Sequence, residues 1–275
     1  MLRLLRHPST ERARLAVIVA TFEQPAWLDL CLRAWSRQVA SPSQILVADD
    51  GSGPETGAVI ARRGAVHVRR ERRDNRFGKC AAVNGAVERA RELGFEYLLF
   101  TDGDCLPARD LLQRHLAEAR PGRFVAGGVV RLSREASESL RPEDVDHGAY
   151  ERDPRCDKRR YALPRAAGVL LDALFSRSTP WKGGNSSAFL DDLVKVNGYD
   201  ERFGWGSEDK ELGVRLEHAG VRGFSIRYSA PVFHLWHERP YVRVEEVAKN
   251  RILLAETRRS RSSWTPVGLH RASEG

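Results

Sequence analysis

Asp102-Gly103-Asp104 stands directly after the apolar run Tyr97-Leu98-Leu99-Phe100. Such a run between turn-prone residues reads as a buried strand. Two carboxylates one residue apart at its exit can reach one ligand if Gly103 lets the backbone turn. Their hard oxygens suit Mg²⁺ or Mn²⁺, ions that commonly bridge to phosphate. A plain Asx-turn would explain the tripeptide alone, so the weight falls on other parts of the chain.

A second pair of carboxylates lies in Gly204-Trp205-Gly206-Ser207-Glu208-Asp209. Ser207 is predicted to cap a helix whose acidic first turn complements the helix dipole. Glu208 falls four and eight residues before Leu212 and Leu216, on the stripe expected to face the core. Burial there predicts a perturbed proton affinity. Trp205, between two glycines, is better placed to stack on a sugar ring than to fill a core. His234-Leu235-Trp236-His237 follows Pro231-Val232-Phe233 at a strand end. The two imidazoles suit a transition metal such as Mn²⁺, with two unrelated histidines as the plain alternative. In the basic run Arg69–Lys79 most arginines read as a solvated loop. Arg76 and Lys79 straddle a helix start, where N–H groups and dipole favour an anion such as a diphosphate. The run lacks interleaved aromatics and no nucleic-acid module is recognisable, so nucleic acid is not an expected partner.

These residues need a frame. Leu15–Ala20, Ile45–Ala48, Ala65–Val68 and the run before Asp102 read as strands. Helices are expected over Pro25–Gln38, after Pro54, over Phe77–Leu93 and over Ala108–Ala119. Such alternation implies an α/β fold with a mostly parallel sheet covered on both faces. Ligands then sit beyond the carboxyl ends of the strands, where Thr21-Phe22-Glu23, Asp49-Asp50 and Asp102–Asp104 all fall. The second half breaks the alternation. Arg134–Arg165 is charge-dense and reads as an excursion or lid, not a second core. Helices are expected at Asp191–Asn197, Ser207–His218 and Val242–Thr257, with a strand over Gly223–Tyr228.

With 275 residues the chain can bury an ample core. No apolar run approaches the ~18–20 residues that cross a bilayer. The net charge of +8 favours anionic partners without choosing among them. Cys31, Cys80, Cys105 and Cys156 show no CxxC pairing, which predicts reduced thiols in a cytoplasmic protein and no zinc site. Contact with anionic membrane surfaces is expected to be weak and peripheral at most.

Val19–Glu23, Asp49–Ser52, Arg76-Phe77-Gly78-Lys79 through Asn84, and Asp102–Asp104 resemble the nucleotide-sugar half of family 2 glycosyltransferases. Gly183-Gly184-Asn185-Ser186, Asn197–Asp200 and Gly204–Asp209 resemble the C-terminal part of β-1,4-galactosyltransferases and chondroitin-type polymerases. The resemblance covers about residues 14–240 and implies the GT-A fold. It divides the chain into a 1–13 extension, one domain over 14–257 and a flexible tail over 258–275. Within the domain, 14–130 would be the nucleotide-sugar half and 131–257 the acceptor half.

By resemblance, Thr21, Glu23, Asp50, Arg76, Lys79, Asn84, Asp102 and Gly103 would bind the nucleotide sugar, and Asp104, His234 and His237 would hold Mn²⁺ or Mg²⁺. Gly184, Asn185, Trp205 and Gly206 would bind sugar or acceptor, and Asp209 would be the catalytic base beside Glu208. Many relatives carry a third acidic residue directly after this pair, where this chain has Lys210 and then Glu211. The implied activity is inverting, metal-dependent sugar transfer from a nucleoside-diphosphate sugar, UDP by default, to a saccharide or lipid-linked acceptor. The alternatives from the residues are a sugar-nucleotide nucleotidyltransferase and a non-catalytic nucleotide- or saccharide-binding protein.

Overall fold

A computed structural model of the chain describes residues 14–72, 77–175, 178–238 and 243–270. The first half alternates as β1 (Leu15–Thr21), α1 (Pro25–Trp35), β2 (Gln44–Asp49), α2 (Pro54–Arg62), β3 (Val66–Arg69), α3 (Lys79–Glu92) and β4 (Tyr97–Asp102). There follow β5 (Cys105–Pro107), α4 (Leu111–Glu118) and β6 (Arg123–Arg131), then α5 (Arg134–Ser139), α6 (Pro142–His147) and α7 (Arg165–Phe175). The last stretch holds β7 (Ser186–Phe189), α8 (Leu190–Lys195), α9 (Glu208–His218), β8 (Arg222–His234) and α10 (Val244–Ser260).

One sheet runs in the order β3-β2-β1-β4-β7-β6-β8-β5. The pairs β1–β2, β1–β4, β2–β3 and β6–β8 are parallel, while β7 and β5 enter antiparallel. The mostly parallel α/β sheet is therefore as expected. Residues 15–19 of β1 are all buried because helices cover both faces. Ile18, Leu98 and Phe100 pack on one face with Ala82, Ala86 and Leu212, and Val17, Leu99 and Val125 on the other with Leu28 and Leu111.

Two expectations fail, and β5, β6, α7 and β7 form where no element was expected. The 134–165 segment is not a loose lid: Ala136, Val145 and Tyr150 form a third apolar cluster with Phe233 and Leu235. The Tyr150 hydroxyl, fully buried, donates to the Pro107 carbonyl at 2.7 Å. Residues 258–270 do not hang free either. α10 continues to Ser260, Thr265 is buried, and Asn197 Nδ2 donates to the Thr265 and His270 carbonyls at 2.8 Å each. Residues 1–13 and 271–275 lie outside the described residues. The four cysteines are free thiols, three of them buried. No described helix is long and apolar enough to cross a membrane.

Glu211 also has a structural assignment. Its carboxylate takes two hydrogen bonds from Arg215, at 2.7 and 2.8 Å, with both side chains 1% exposed. Thr257 of α10 donates to the same carboxylate at 3.1 Å, and Arg215 donates to the Val196 carbonyl. The pair ties α9 to α10 and to the end of α8. Removing one partner strands a buried charge, so Glu211→Ala is expected to lose about 3–5 kcal/mol in urea denaturation. Glu211→Ala with Arg215→Met is expected to recover much of that loss.

Candidate active site

The carboxyl ends of β1, β2 and β4 open together on a cavity of about 520 Å³, a size suited to a small-molecule ligand. Thr21, Asp50, Lys79, Asp102, Gly103 and Asp104 line its sheet side. Trp205, Gly206, Glu208, Asp209, His234 and His237, all from the second half of the chain, complete its lining. The topology thus joins two motifs about a hundred residues apart in the chain.

Gly103 sits at a close approach to β1. A Cβ there would stand 3.1 Å from Thr21 Oγ1 and 3.3 Å from the Ala20 carbonyl, which accepts the Gly103 N–H at 2.7 Å. This contact holds the turn between Asp102 and Asp104 against β1. Asp104 then meets β8, whose end pairs His234 with Cys105. His237 Nε2 lies 3.0 Å and His234 Nε2 3.7 Å from the Asp104 carboxylate, and the two rings stack with centroids 5.3 Å apart. Burial raises the Asp104 pKa, but the adjacent imidazoles outweigh it and bring the group down to about 2. One carboxylate oxygen and two imidazole nitrogens within 4.8 Å of one another form a donor set that fits a divalent ion. Asp102, Asp104 and Cys105 form an overlapping second group.

Lys79, at the first turn of α3, does not simply point at solvent anions. Its ammonium sits 2.8 Å from Asp102 and 3.9 Å from Asp209. Burial disfavours that charge, yet Asp102, Asp209 and Glu208 together hold its pKa well above the usual lysine value. Burial raises the Asp102 pKa in turn, with Lys79 pulling the other way. Asp209 also accepts the Tyr199 hydroxyl at 3.1 Å, and Tyr199 accepts the Trp181 indole N–H at 2.8 Å. Gly183 closes against it: a Cβ there would be 2.3 Å from Asp209 Oδ1. Asp209 is thus fixed on two sides and open to the cavity on another.

Several expected residues do other work. Asn84 spends its amide on Tyr199 and Glu201, taking the Tyr199 N–H at 2.8 Å and donating to the Tyr199 carbonyl at 2.9 Å. Asn185, fully buried, donates to the Gly128 and Ala230 carbonyls and meets His115 at 2.9 Å. Neither lines the cavity; both brace the frame around it. Gly184 likewise contributes closeness, with its Cβ position 3.0 Å from Asp102 Oδ2. Glu23 accepts the Gly53 N–H at 3.0 Å at the rim, while its neighbours Phe22 and Gln24 line the cavity. Asp50 lines it but is held by Arg70 and the Gly78 N–H, at 2.7 Å each. Arg76 lies outside the described residues. Ser207 makes no capping bond, because its backbone is left-handed at φ 75°. The glycine-flanked Trp205 is half-buried on the cavity wall, as its sequence setting implied.

Sequence reasoning missed Phe22, Arg72 and Tyr199. Arg72, read as a solvated loop residue, lies over the Phe22 ring at 4.1 Å, and both line the cavity. The arginine run contained the signal without saying which member turns inward.

Residues 16–173 match the model for glycosyl transferase family 2. Residues 175–238 match the model described as the N-terminal domain of galactosyltransferase. Validoxylamine A glucosyltransferase of Streptomyces hygroscopicus subsp. limoneus is 28% identical over 263 residues, covering 87% of this chain and 54% of that protein. The chain spans about half the length of this curated relative. β-1,4-Galactosyltransferase 3 of Homo sapiens is 31% identical over 135 residues, covering 48% of this chain and 31% of that protein. Among solved structures, GalNAc-T7 with UDP, GalNAc and Mn²⁺ aligns with a TM-score of 0.62 at 15% identity, covering 92% of this chain and 51% of that one. This likeness extends the GT-A fold across the sheet.

Glu208, 7% exposed, generates a pH prediction. Burial and then the Asp209 charge push its pKa up to about 7, against the pull of Lys79. A carboxyl with a raised folded-state pKa favours the fold fully below its unfolded pKa, ~4.3. That contribution is lost as pH rises through about 7. Glu208→Gln is therefore expected to match wild type in urea denaturation near pH 4 and to exceed it at pH 8 by roughly 1–3 kcal/mol. Equal stability of the two at pH 8 would refute the raised value.

Proposed function

Since the chain belongs to glycosyl transferase family 2, we propose that it transfers a sugar from a nucleoside-diphosphate sugar to an acceptor hydroxyl with inversion. The observation that carries this reading is one cavity with two chemistries. Asp104 and two imidazoles occupy one part of its lining, and Asp209, Glu208 and Trp205 another. A nucleotidyltransferase or a passive binding protein has less need of the second set.

Asp104, His234 and His237 would hold a divalent ion, which supplies Lewis-acid neutralisation of the departing diphosphate. Two imidazoles favour Mn²⁺ over Mg²⁺, and the Mn²⁺ and UDP of GalNAc-T7 support the same choice and a UDP donor. The remaining steps belong to the chain's side chains. Thr21, Asp50, Asp102 and the Arg72–Phe22 pair line the donor side. Lys79 shares its charge between Asp102, Asp209 and the incoming diphosphate. Trp205 stacks on a sugar face, and Glu208 holds an acceptor hydroxyl. Asp209 takes the proton from the attacking hydroxyl at its carboxylate. Tyr199 and Gly183 keep that carboxylate oriented, and orientation supplies a large share of the rate. The acceptor is a saccharide, free or lipid-linked, and any membrane contact is peripheral.

Two substitutions test the division of labour. Asp104→Ala is expected to fold and to lose the Mn²⁺-dependent part of UDP binding in calorimetry; equal affinity with Mn²⁺ present would remove Asp104 from the metal site. Asp209→Asn is expected to bind UDP with Mn²⁺ as wild type does and to lose ~10²–10⁴ in transfer rate, the usual worth of a general base. Retention of most of the rate would reduce Asp209 to a helix-start residue.

A further inference from the structure

A cluster of cations at an irregularity between β6 and β8 exceeds what nearby acids neutralise. β6 and β8 lose register at one point: Gly127 pairs with Ile226 and Gly128 with Pro231, leaving Arg227–Ala230 as an excursion on β8. Lys182 Nζ reaches over this point to the Gly127 carbonyl at 2.6 Å. A Cβ at Gly128 would stand 2.3 Å from the Arg227 carbonyl and 3.4 Å from Tyr161 Cβ, so Arg227 and Tyr161 close on the same spot. Arg160 lies over the Tyr161 ring at 5.1 Å and Arg227 over Tyr228 at 5.4 Å, and the two tyrosines meet edge-on at 5.5 Å.

Compensation is missing. Among the described residues no carboxylate forms an ion pair with Lys182, Arg160 or Arg227. Asp172 spends its oxygens on the Tyr228 and Ser229 N–H groups and the Ser229 hydroxyl. Asp157 lies 3.9 Å from Lys158 but also accepts the Arg131 N–H and guanidinium. Arg227 Nε is buried without a hydrogen-bond partner. Such an unmade donor is costly until something accepts it. Burial, then the charges of Arg227 and Lys158, pull the Lys182 pKa down to about 8. Burial raises the Tyr161 hydroxyl, but Arg160 and Arg227 outweigh it and lower its pKa. Both shifts report a local excess of positive charge.

One member of the cluster is tied to the candidate active site through the chain. Lys182 directly precedes Gly183 and Gly184, the glycines that abut Asp209 and Asp102. We propose that Arg227 and Lys182, with Lys158 at the rim, bind a phosphate group carried by the acceptor. A guanidinium fork and an ammonium suit the several oxygens and the charge of phosphate. This inference rests on the glycosyltransferase reading for the word acceptor, but the site itself does not.

The test is calorimetric titration of inorganic phosphate, with UDP and Mg²⁺ present to occupy the donor side. Arg227→Gln is expected to weaken phosphate binding roughly 10–100-fold, the worth of a hydrogen bond to a charged group. Lys158→Gln, at an exposed position, is expected to weaken it less and guards against a folding defect. UDP binding is expected to be alike in all three proteins. Equal phosphate affinity in wild type and Arg227→Gln overturns the anion site and leaves the donor reading standing. Arg227-dependent phosphate binding in a protein that shows no UDP binding supports the site and counts against the donor reading. Phosphatidylglycerol vesicles separate the sources. Retention lost in Arg227→Gln assigns the phosphate to a lipid headgroup, and phosphate binding without retention assigns it to a soluble sugar phosphate.

Discussion

Among the acidic residues that line the cavity, Asp102, Asp104, Glu208 and Asp209 repel one another, and that repulsion is the constraint that the surrounding structure answers. The answer has three parts. Lys79 stands between Asp102 and Asp209. Two imidazoles flank Asp104. Glu208 is left to resolve its share by holding its proton, as burial and the Asp209 charge outweigh the pull of the shared Lys79. Groups of one chemical type are thereby driven to different protonation behaviour by their neighbours, which is how a site acquires separate acidic and basic members.

The sheet makes that crowding unavoidable. β1 and β4 run parallel and end together, so Asp102 stands beside Ala20 and Thr21 faces the turn that follows it. β8 brings its histidines to the same edge because it runs parallel to β6 and its end pairs with β5. The polar braces beneath, Asn84 on Tyr199 and Asn185 on the β6 and β8 carbonyls, are buried and fully engaged. They convert sheet geometry into fixed positions for Asp209 and for the glycine floor.

What the sequence makes legible follows from the range of each signal. β1, β2, β4 and α1–α3 are set by local apolar runs and by Pro25 and Pro54, and they lie where the residues indicate within a few positions. β7 has only Ser186-Ser187-Ala188-Phe189 and no apolar run; it is a strand because β4 and β6 supply partners on both sides. β6 hides behind the Gly127-Gly128 pair, which ordinarily weakens a strand and here marks its irregularity. The cavity residues were legible where chemistry and position coincide, as at Asp102, Asp104 and Asp209. They were not where the deciding fact is a distant partner. Asn84 and Asn185 sit beside functional motifs, yet their amides are consumed by residues up to 117 positions away. Nothing near Tyr199 announces that its hydroxyl will reach Asp209.

The excursion Arg227–Ala230 divides β8 into two stretches that can vary separately. Side chains alternate along a strand, so one added residue in Val232–His234 would turn His234 away from Asp104. A residue added within the excursion would face no partner on β6 and would be absorbed locally, where Asp172 already clamps the backbone from α7. The strand thus works as a ruler with one adjustable section. Its carboxyl end keeps a fixed register, while the length and composition of the section beside Lys182 are free to drift. Divergence in what the protein accepts could accumulate there without disturbing the end that carries His234.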